Sequence, residues 1–379
     1  MGRGSYSRAA YNSAHQSYVP PSGSATRAGE EKVRKTGKLD PLVDPAEYGV
    51  IRRSLVRFEE LPSGLLELTI GTSMPVETRL DTTGSMGNNV QIALKALPDL
   101  YEQCMRVLPG YDIHIATGIF ADCQDEFVLC RPQFEMLPDK IVHQLTLMYP
   151  EGGGAGNGGE DPQYGLFGGA YLVAAYINCI GLKRYDFTIT DEPARDRLSE
   201  KQLIRVFGAE VFEKTRINGH KIVHDALPST KEVFQDLLKQ AHAFVLIVGG
   251  RQDAAEFWPR TVGHERIVRL PDVRLLPQVQ AIIIGLTEGT LSLDQVPDFL
   301  SEFRVNAELT KLIQRSVANI PIAAQAVLRK DIRVPQKGDL FRSKPDVFQK
   351  VDLWPISQEE AAAVEVAPQP DMATEPTWL

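Results

Sequence analysis

The chain has 379 residues, 43% of them hydrophobic and 24% charged, with a formal net charge of −8. That length supports one large core or two smaller ones, and no run reaches the eighteen or so uncharged apolar residues of a membrane span. The opening "MGRGSYSRAAYNSAHQSYVPPSGS" lacks the apolar centre of a secretory leader, so the expected protein is soluble and cytoplasmic, with no membrane partner.

Four cysteines (Cys104, Cys123, Cys130 and Cys179) show no CxxC spacing and are expected as buried thiols rather than as a disulfide scaffold or a zinc site. The charge is unevenly spread. Residues 1–39 carry seven Lys or Arg against Glu30 and Glu31, whereas residues 356–379 carry five acids and no base. Both ends are rich in small residues and proline, so a basic arm (1–45) and an acidic tail (356–379) are expected to stay outside the core. A solvated tail is the plainer reading of the arm. A nucleic-acid contact, if there is one, would come from it.

Between the tails, strand-like and helix-like stretches alternate, the pattern of a doubly wound, mainly parallel α/β sheet with helices on both faces. "GLLELTIG" (64–71) and "VETRLD" (76–81) read as strands, and "NVQIALKALPDLYEQCMRVL" (89–108) as a helix interrupted at Pro98. "YDIHIATGIFA" (111–121) is the next strand, with "EFVLCRP" (126–132) as its hairpin partner. The glycine-rich loop "EGGGAGNGGEDP" (151–162) leads into an apolar helix over 164–180, and "RYDFTITD" (184–191) is again a strand ending on an aspartate. Helices are expected over 199–215, with Ser199 as cap, and over 229–241. "HAFVLIVGG" (242–250) reads as a buried strand and "VQAIIIGLTEGTL" (279–291) as the last one. A helix over 306–320 follows, and then an extended segment with Phe341, Phe348 and Trp354 as anchors that wraps back or grips a partner.

In such a sheet the loops at the carboxyl ends of the strands converge. Asp81, the 152–162 loop and Asp191 all fall there. Asp81-Thr82-Thr83-Gly84-Ser85 places oxygen side chains at positions 81, 83 and 85, which a tight strand-to-helix turn can aim at one point. Magnesium or manganese accepts about six oxygen ligands, hydroxyls and waters among them.

Asp81-Thr82-Thr83-Gly84-Ser85-Met86 resembles the metal-ion-dependent adhesion site of von Willebrand factor A domains, whose first signature is Asp-x-Ser-x-Ser, with threonine here at the middle hydroxyl. The resemblance covers about residues 50–295 and assigns a vWA-like domain to 46–295, followed by an extension over 296–355. It implies a Rossmann-like fold, an Mg2+ or Mn2+ ion at Asp81, Thr83 and Ser85, a final ligand at Asp191, and a middle-loop ligand at Glu160 or Asp161. Two departures stand out. Glu192 replaces the glycine that usually follows the final aspartate, and Gln163 replaces a glutamate of the middle loop.

By that resemblance the chain binds a partner protein that supplies a carboxylate to the ion, as an adaptor or a subunit of a complex rather than as an enzyme. A metal-dependent hydrolase or phosphotransferase is one alternative, although no His or Lys lies in the three loops to act as base or acid. An assembly subunit with a vestigial site is another. The glycine run lacks the Gly-Lys-Ser/Thr of a phosphate loop, and His220 and His224 lack the glutamate of a zinc-protease helix. Asp122, Asp125 and Glu126 read as a solvated hairpin end.

Overall fold

The computed structural model describes residues 28–48, 51–52, 57–150, 152 and 159–345. Residues 1–27 of the basic arm, most of the glycine run, Phe348, Trp354 and the acidic tail lie outside the described residues.

In chain order the strands are β1 (Ile51–Arg52), β2 (Arg57–Glu60), β3 (Leu66–Ile70), β4 (Ser73–Asp81), β5 (Asp112–Phe120), β6 (Leu129–Cys130), β7 (Val173–Ala174), β8 (Arg184–Thr190), β9 (Ala241–Val248), β10 (Ile267–Leu270) and β11 (Leu340–Phe341). Six form the central sheet in the order β10-β9-β8-β4-β5-β6, parallel throughout except that β6 runs antiparallel to β5. Strands covered on both faces read as continuous apolar runs, and "AHAFVLIV" of β9 is buried at every position. The helices that matter for the site are α1 (Asn89–Ala96), α2 (Leu100–Val107), α3 (Pro162–Tyr171), α4 (Thr230–Gln240), α5 (Gln252–Val262), α6 (Leu276–Glu288), α7 (Ala307–Ser316) and α8 (Ala324–Arg329). The doubly wound α/β class expected from the sequence is the one observed.

Alternation along β4 and β8 divides the core in two. Val76, Leu80, Tyr185, Phe187 and Ile189 join the core under α1, α2 and α6. The other face packs under α3, α4 and α5, and on it stand Glu77, Arg79, Arg184 and Asp186, all fully buried. Arg131 donates from Nε and Nη2 to the two Glu77 oxygens at 2.7 and 2.9 Å. Arg79 pairs with Asp186 and Glu77, and Arg184 donates to Asp186 at 2.9 Å. Three guanidinium groups thus surround two carboxylates. Removing one partner from such a set strands a buried charge, at a cost of about 3–5 kcal/mol. Helix α3 accommodates the arginines because it has glycine where it meets them. A Cβ on Gly165 would lie 2.5 Å from Arg79 Cδ, and one on Gly168 would lie 2.7 Å from Arg131 Nη1.

Several expectations need correction. Residues 279–291 are not a strand: α6 spans Leu276–Glu288, buried at all thirteen positions and closed by Gly289 at φ 75°. An apolar run with no polar face has no helical stripe to read. The last strand of the sheet is instead β10, whose "IVRL" is short and interrupted by an exposed arginine. The helix expected over 164–180 ends at Tyr171 and gives way to β7, which pairs with β1, and to a short helix Tyr176–Cys179. β3 belongs to a separate three-stranded sheet, β11-β3-β2. The 199–215 segment breaks at Gly208 (φ 84°), and Ser199 makes no side-chain cap bond; the capping box is formed by Ser229 and Glu232. Residues 28–45 do not stay outside the core, because Val33, Leu39 and Val43 are buried and the Arg131 amide donates to the Val43 carbonyl at 2.8 Å.

The extension beyond 295 wraps back on the domain. Gln325, fully buried, takes the Lys183 amide on Oε1 at 3.2 Å and gives Nε2 to the Lys183 carbonyl at 2.8 Å. Farther on, β11 pairs antiparallel with β3, and Phe341 meets Phe58 edge to face. Cys104 and Cys130 are buried, Cys123 and Cys179 half-buried, and all four are free thiols. Among the described residues no helix is long and apolar enough to cross a membrane.

Candidate metal centre

β4 and β8 are hydrogen-bonded parallel neighbours, so the aspartate that ends one and the aspartate that follows the other leave the sheet side by side. The loop after β4 is pinned first. Thr82 donates both its amide and its hydroxyl to the Phe120 carbonyl at the end of β5, each at 3.0 Å. Asp81 stays fully buried. Its Oδ1 accepts from the Thr83 amide at 2.9 Å and the Thr83 hydroxyl at 2.6 Å, and its Oδ2 from the Thr190 hydroxyl at 2.7 Å. Thr83 Oγ1 lies 3.2 Å from Ser85 Oγ, which donates to Asp191 Oδ1 at 2.8 Å. Four of the expected side chains, Asp81, Thr83, Ser85 and Asp191, are thereby joined in one cluster.

Glu160 arrives from the middle loop through a strand-like bridge to Ala194: its amide donates to the Pro193 carbonyl at 3.0 Å and its carbonyl accepts from the Arg195 amide at 3.2 Å. Its carboxyl is buried, and Oε2 has no hydrogen-bond partner. Burial, then the charges of Asp81, Glu192 and Asp122, push it up to about 8, with the Thr83 hydroxyl acting the other way. Burial likewise pushes Asp81 to about 7, with hydrogen bonds from Thr83 and Thr190 acting against it and Asp191 adding to it. Asp191 is raised too, mainly by burial. Three carboxyl groups that all resist ionisation are what a cluster of like charges in low dielectric produces. A cation among them would reverse that.

Asp161 has different partners. Its Oδ2 accepts from the Cys123 amide at 2.7 Å and from Arg195, and its Oδ1 accepts from Gln163. Arg195 also donates to Asp122 at 2.8 Å. Asp122 and Asp125 are therefore buried rather than solvated, contrary to expectation. His220 meets Tyr171 edge to face and His224 pairs with Glu200 at 2.8 Å, so neither joins the cluster. Glu192, in place of the expected glycine, pairs with Arg251, and its carbonyl accepts from Trp258 at 2.9 Å.

The donor set suits a hard divalent cation, since every side chain in it offers oxygen and one buried oxygen is unpartnered. Among the described residues no three His, Cys, Asp or Glu side chains form a metal-binding group by themselves; the cluster depends on its hydroxyls. Sequence reading missed Thr190, Arg195 and Arg251, and the buried charges beneath the site. One signal was present: Glu77, Arg79 and Asp81, and likewise Arg184 and Asp186, recur at every second position, which puts them on one face of strands expected to be buried on both.

No protein-family model matches the chain, and no curated protein matches it at a significant level. Among solved structures it is similar to a von Willebrand factor type A protein from Catenulispora acidiphila (12% identity, TM-score 0.33, 59% of this chain and 45% of that one). It is also similar to proximal thread matrix protein 1 from the mussel byssus (14%, TM-score 0.36, 57% and 46%). A third is the pilus adhesin SpaC from Lactobacillus rhamnosus GG (12%, TM-score 0.34, 61% and 34%). The chain spans less than half the length of each of these.

Proposed function

We propose that the chain is a von Willebrand factor A-like module that binds a partner protein through a divalent cation, Mg2+ or Mn2+, at the carboxyl ends of β4 and β8. One observation carries the reading: Asp81, Thr83, Ser85 and Asp191 form a continuous hydrogen-bonded chain, and Glu160 brings a buried, unpartnered oxygen beside it. In this reading Asp81 and Asp191 supply charge, Thr83 and Ser85 supply neutral oxygens, and Glu160 is the middle-loop group. Asp161 shapes that loop through Arg195. When bound, the ion supplies a coordination position for a carboxylate of the partner. The exposed Ser85 side of the cluster is where that carboxylate would approach. Among the described residues the cluster's contacts are carboxylates, hydroxyls and arginines, with no histidine or lysine in position to move a proton, which favours binding over turnover.

The test is thermal unfolding of wild type and Asp81→Ala in EDTA and in millimolar Mg2+ or Mn2+. A ligand at a hundred times its dissociation constant stabilises by about 2.7 kcal/mol, so the midpoint of wild type alone should rise. An equal response of both proteins, or none, overturns the metal site. Hydrolysis of p-nitrophenyl phosphate by wild type and not by Asp81→Ala overturns the binding reading in favour of a hydrolase.

A further inference from the structure

At the far edge of the sheet, a cavity of about 680 Å3 opens between β10, α5 and α7. Among the described residues no carboxylate lines it. Its walls carry His264, Arg269 and Arg315, and its apolar part includes Ile247, Ile267 and Leu312. Leu312 is 44% exposed. The placement of the two arginines follows from the local structure. Ile267 and Arg269 share one face of β10 by alternation. Ser316 fastens α7 to the edge of that strand, its hydroxyl accepting from the Arg269 amide at 2.5 Å and donating to the Arg269 carbonyl at 3.0 Å. Arg315, next to Ser316, lines the same cavity as Arg269. Leu312, Arg315, Ser316 and Asn319 recur at helical spacing and present one stripe to the cavity.

Nearby, Arg260 pairs with Glu256 and Arg274 with Asp272. Among the described residues Arg269 and Arg315 form no ion pair. Two guanidinium groups lining one cavity repel each other, and a concave, partly apolar wall concentrates their field. The planar fork of arginine matches carboxylate and phosphate oxygens, and the volume falls in the range of small-molecule sites, about 300–1,000 Å3.

We propose that this edge cavity binds a small amphiphilic anion, its carboxylate or phosphate head between Arg269 and Arg315 and its apolar body against Ile247, Ile267 and Leu312. The site is separate from the metal centre and does not depend on it. Calorimetric titration of the full chain with hexyl phosphate, hexanoate, neutral hexanol and inorganic phosphate tests it, in wild type, Arg269→Gln, Arg315→Gln and, as a control outside the cavity, Arg274→Gln.

The expected result is saturable binding of one equivalent of an anionic amphiphile, weakened about tenfold by each of Arg269→Gln and Arg315→Gln. Arg274→Gln should leave it unchanged, and added salt should weaken it. The better of hexyl phosphate and hexanoate names the head group. Both arginines are exposed, so unchanged urea midpoints should show that the variants fold. The proposal is overturned if neither amphiphile binds saturably, if hexanol binds as tightly, if inorganic phosphate alone does as well, or if the two arginine variants bind like wild type.

Discussion

Glu77 is the centre of the buried charge group, and replacing it with glutamine tests whether that group is ionised in the folded protein. Despite full burial, which by itself would raise it, the charges of Arg131, Arg79 and Arg184 hold the Glu77 carboxyl down at about 2, from an ordinary 4.5. A depressed carboxylate contributes stability that is present above its unfolded pKa and is lost as pH falls toward the folded one. At roughly 1.4 kcal/mol for each tenfold change, that lowering corresponds to about 3 kcal/mol at pH 7 and falls to about 1 kcal/mol at pH 3. Glu77→Gln also leaves the three arginines facing Asp186 alone, so the variant should be about 3–5 kcal/mol less stable than wild type at pH 7. Urea unfolding of both proteins at pH 7 and pH 3 measures the difference, which should shrink by about 2 kcal/mol at the lower pH. A difference that is the same at both pH values would refute the reasoning, because Glu77 would then titrate alike folded and unfolded, and a difference that grows at pH 3 would mean that Glu77 is neutral in the folded state.

Gly168→Ala drives a methyl group to 2.7 Å from Arg131 Nη1, on a guanidinium already fixed by two bonds to Glu77; it should cost about 1–3 kcal/mol. Gly159→Ala, whose nearest neighbour would be 3.6 Å away, should cost little, and urea midpoints would separate the two. Burial pushes Glu288 up to about 7 against the Tyr185 hydroxyl and Arg329. Its contribution is therefore fully present below its ordinary 4.5 and lost as pH rises through 7, so Glu288→Gln should gain on wild type by up to about 3 kcal/mol between pH 4.5 and 8. Gln325→Ala removes both bonds to Lys183 and the 2.9 Å contact with His242. It should cost about 1–3 kcal/mol and speed amide exchange over 331–341, whereas unchanged exchange there would mean the extension is held by other contacts.

The alternation of elements and the two aspartates at strand ends were legible in the chain, because a strand buried on both faces announces itself locally as a β-branched run and a tight polar turn announces its end. The Asp81–Ser85 spacing pointed to an oxygen cluster for the same local reason. Residues 279–291 were not legible: a helix buried on every side and a buried strand are both simply apolar, and only packing between α2 and the sheet chose the helix. Nor did spacing separate the surroundings of Glu160 and Asp161: in the fold Glu160 bridges to Ala194, while Arg195, thirty-four residues farther along, occupies Asp161. The ion group beneath the site shows the same division. Charges at alternate positions of two strands say that they share a face. That Arg131 and the glycines of α3 would close over them depends on contacts between residues 37 to 86 positions apart, which no local pattern encodes.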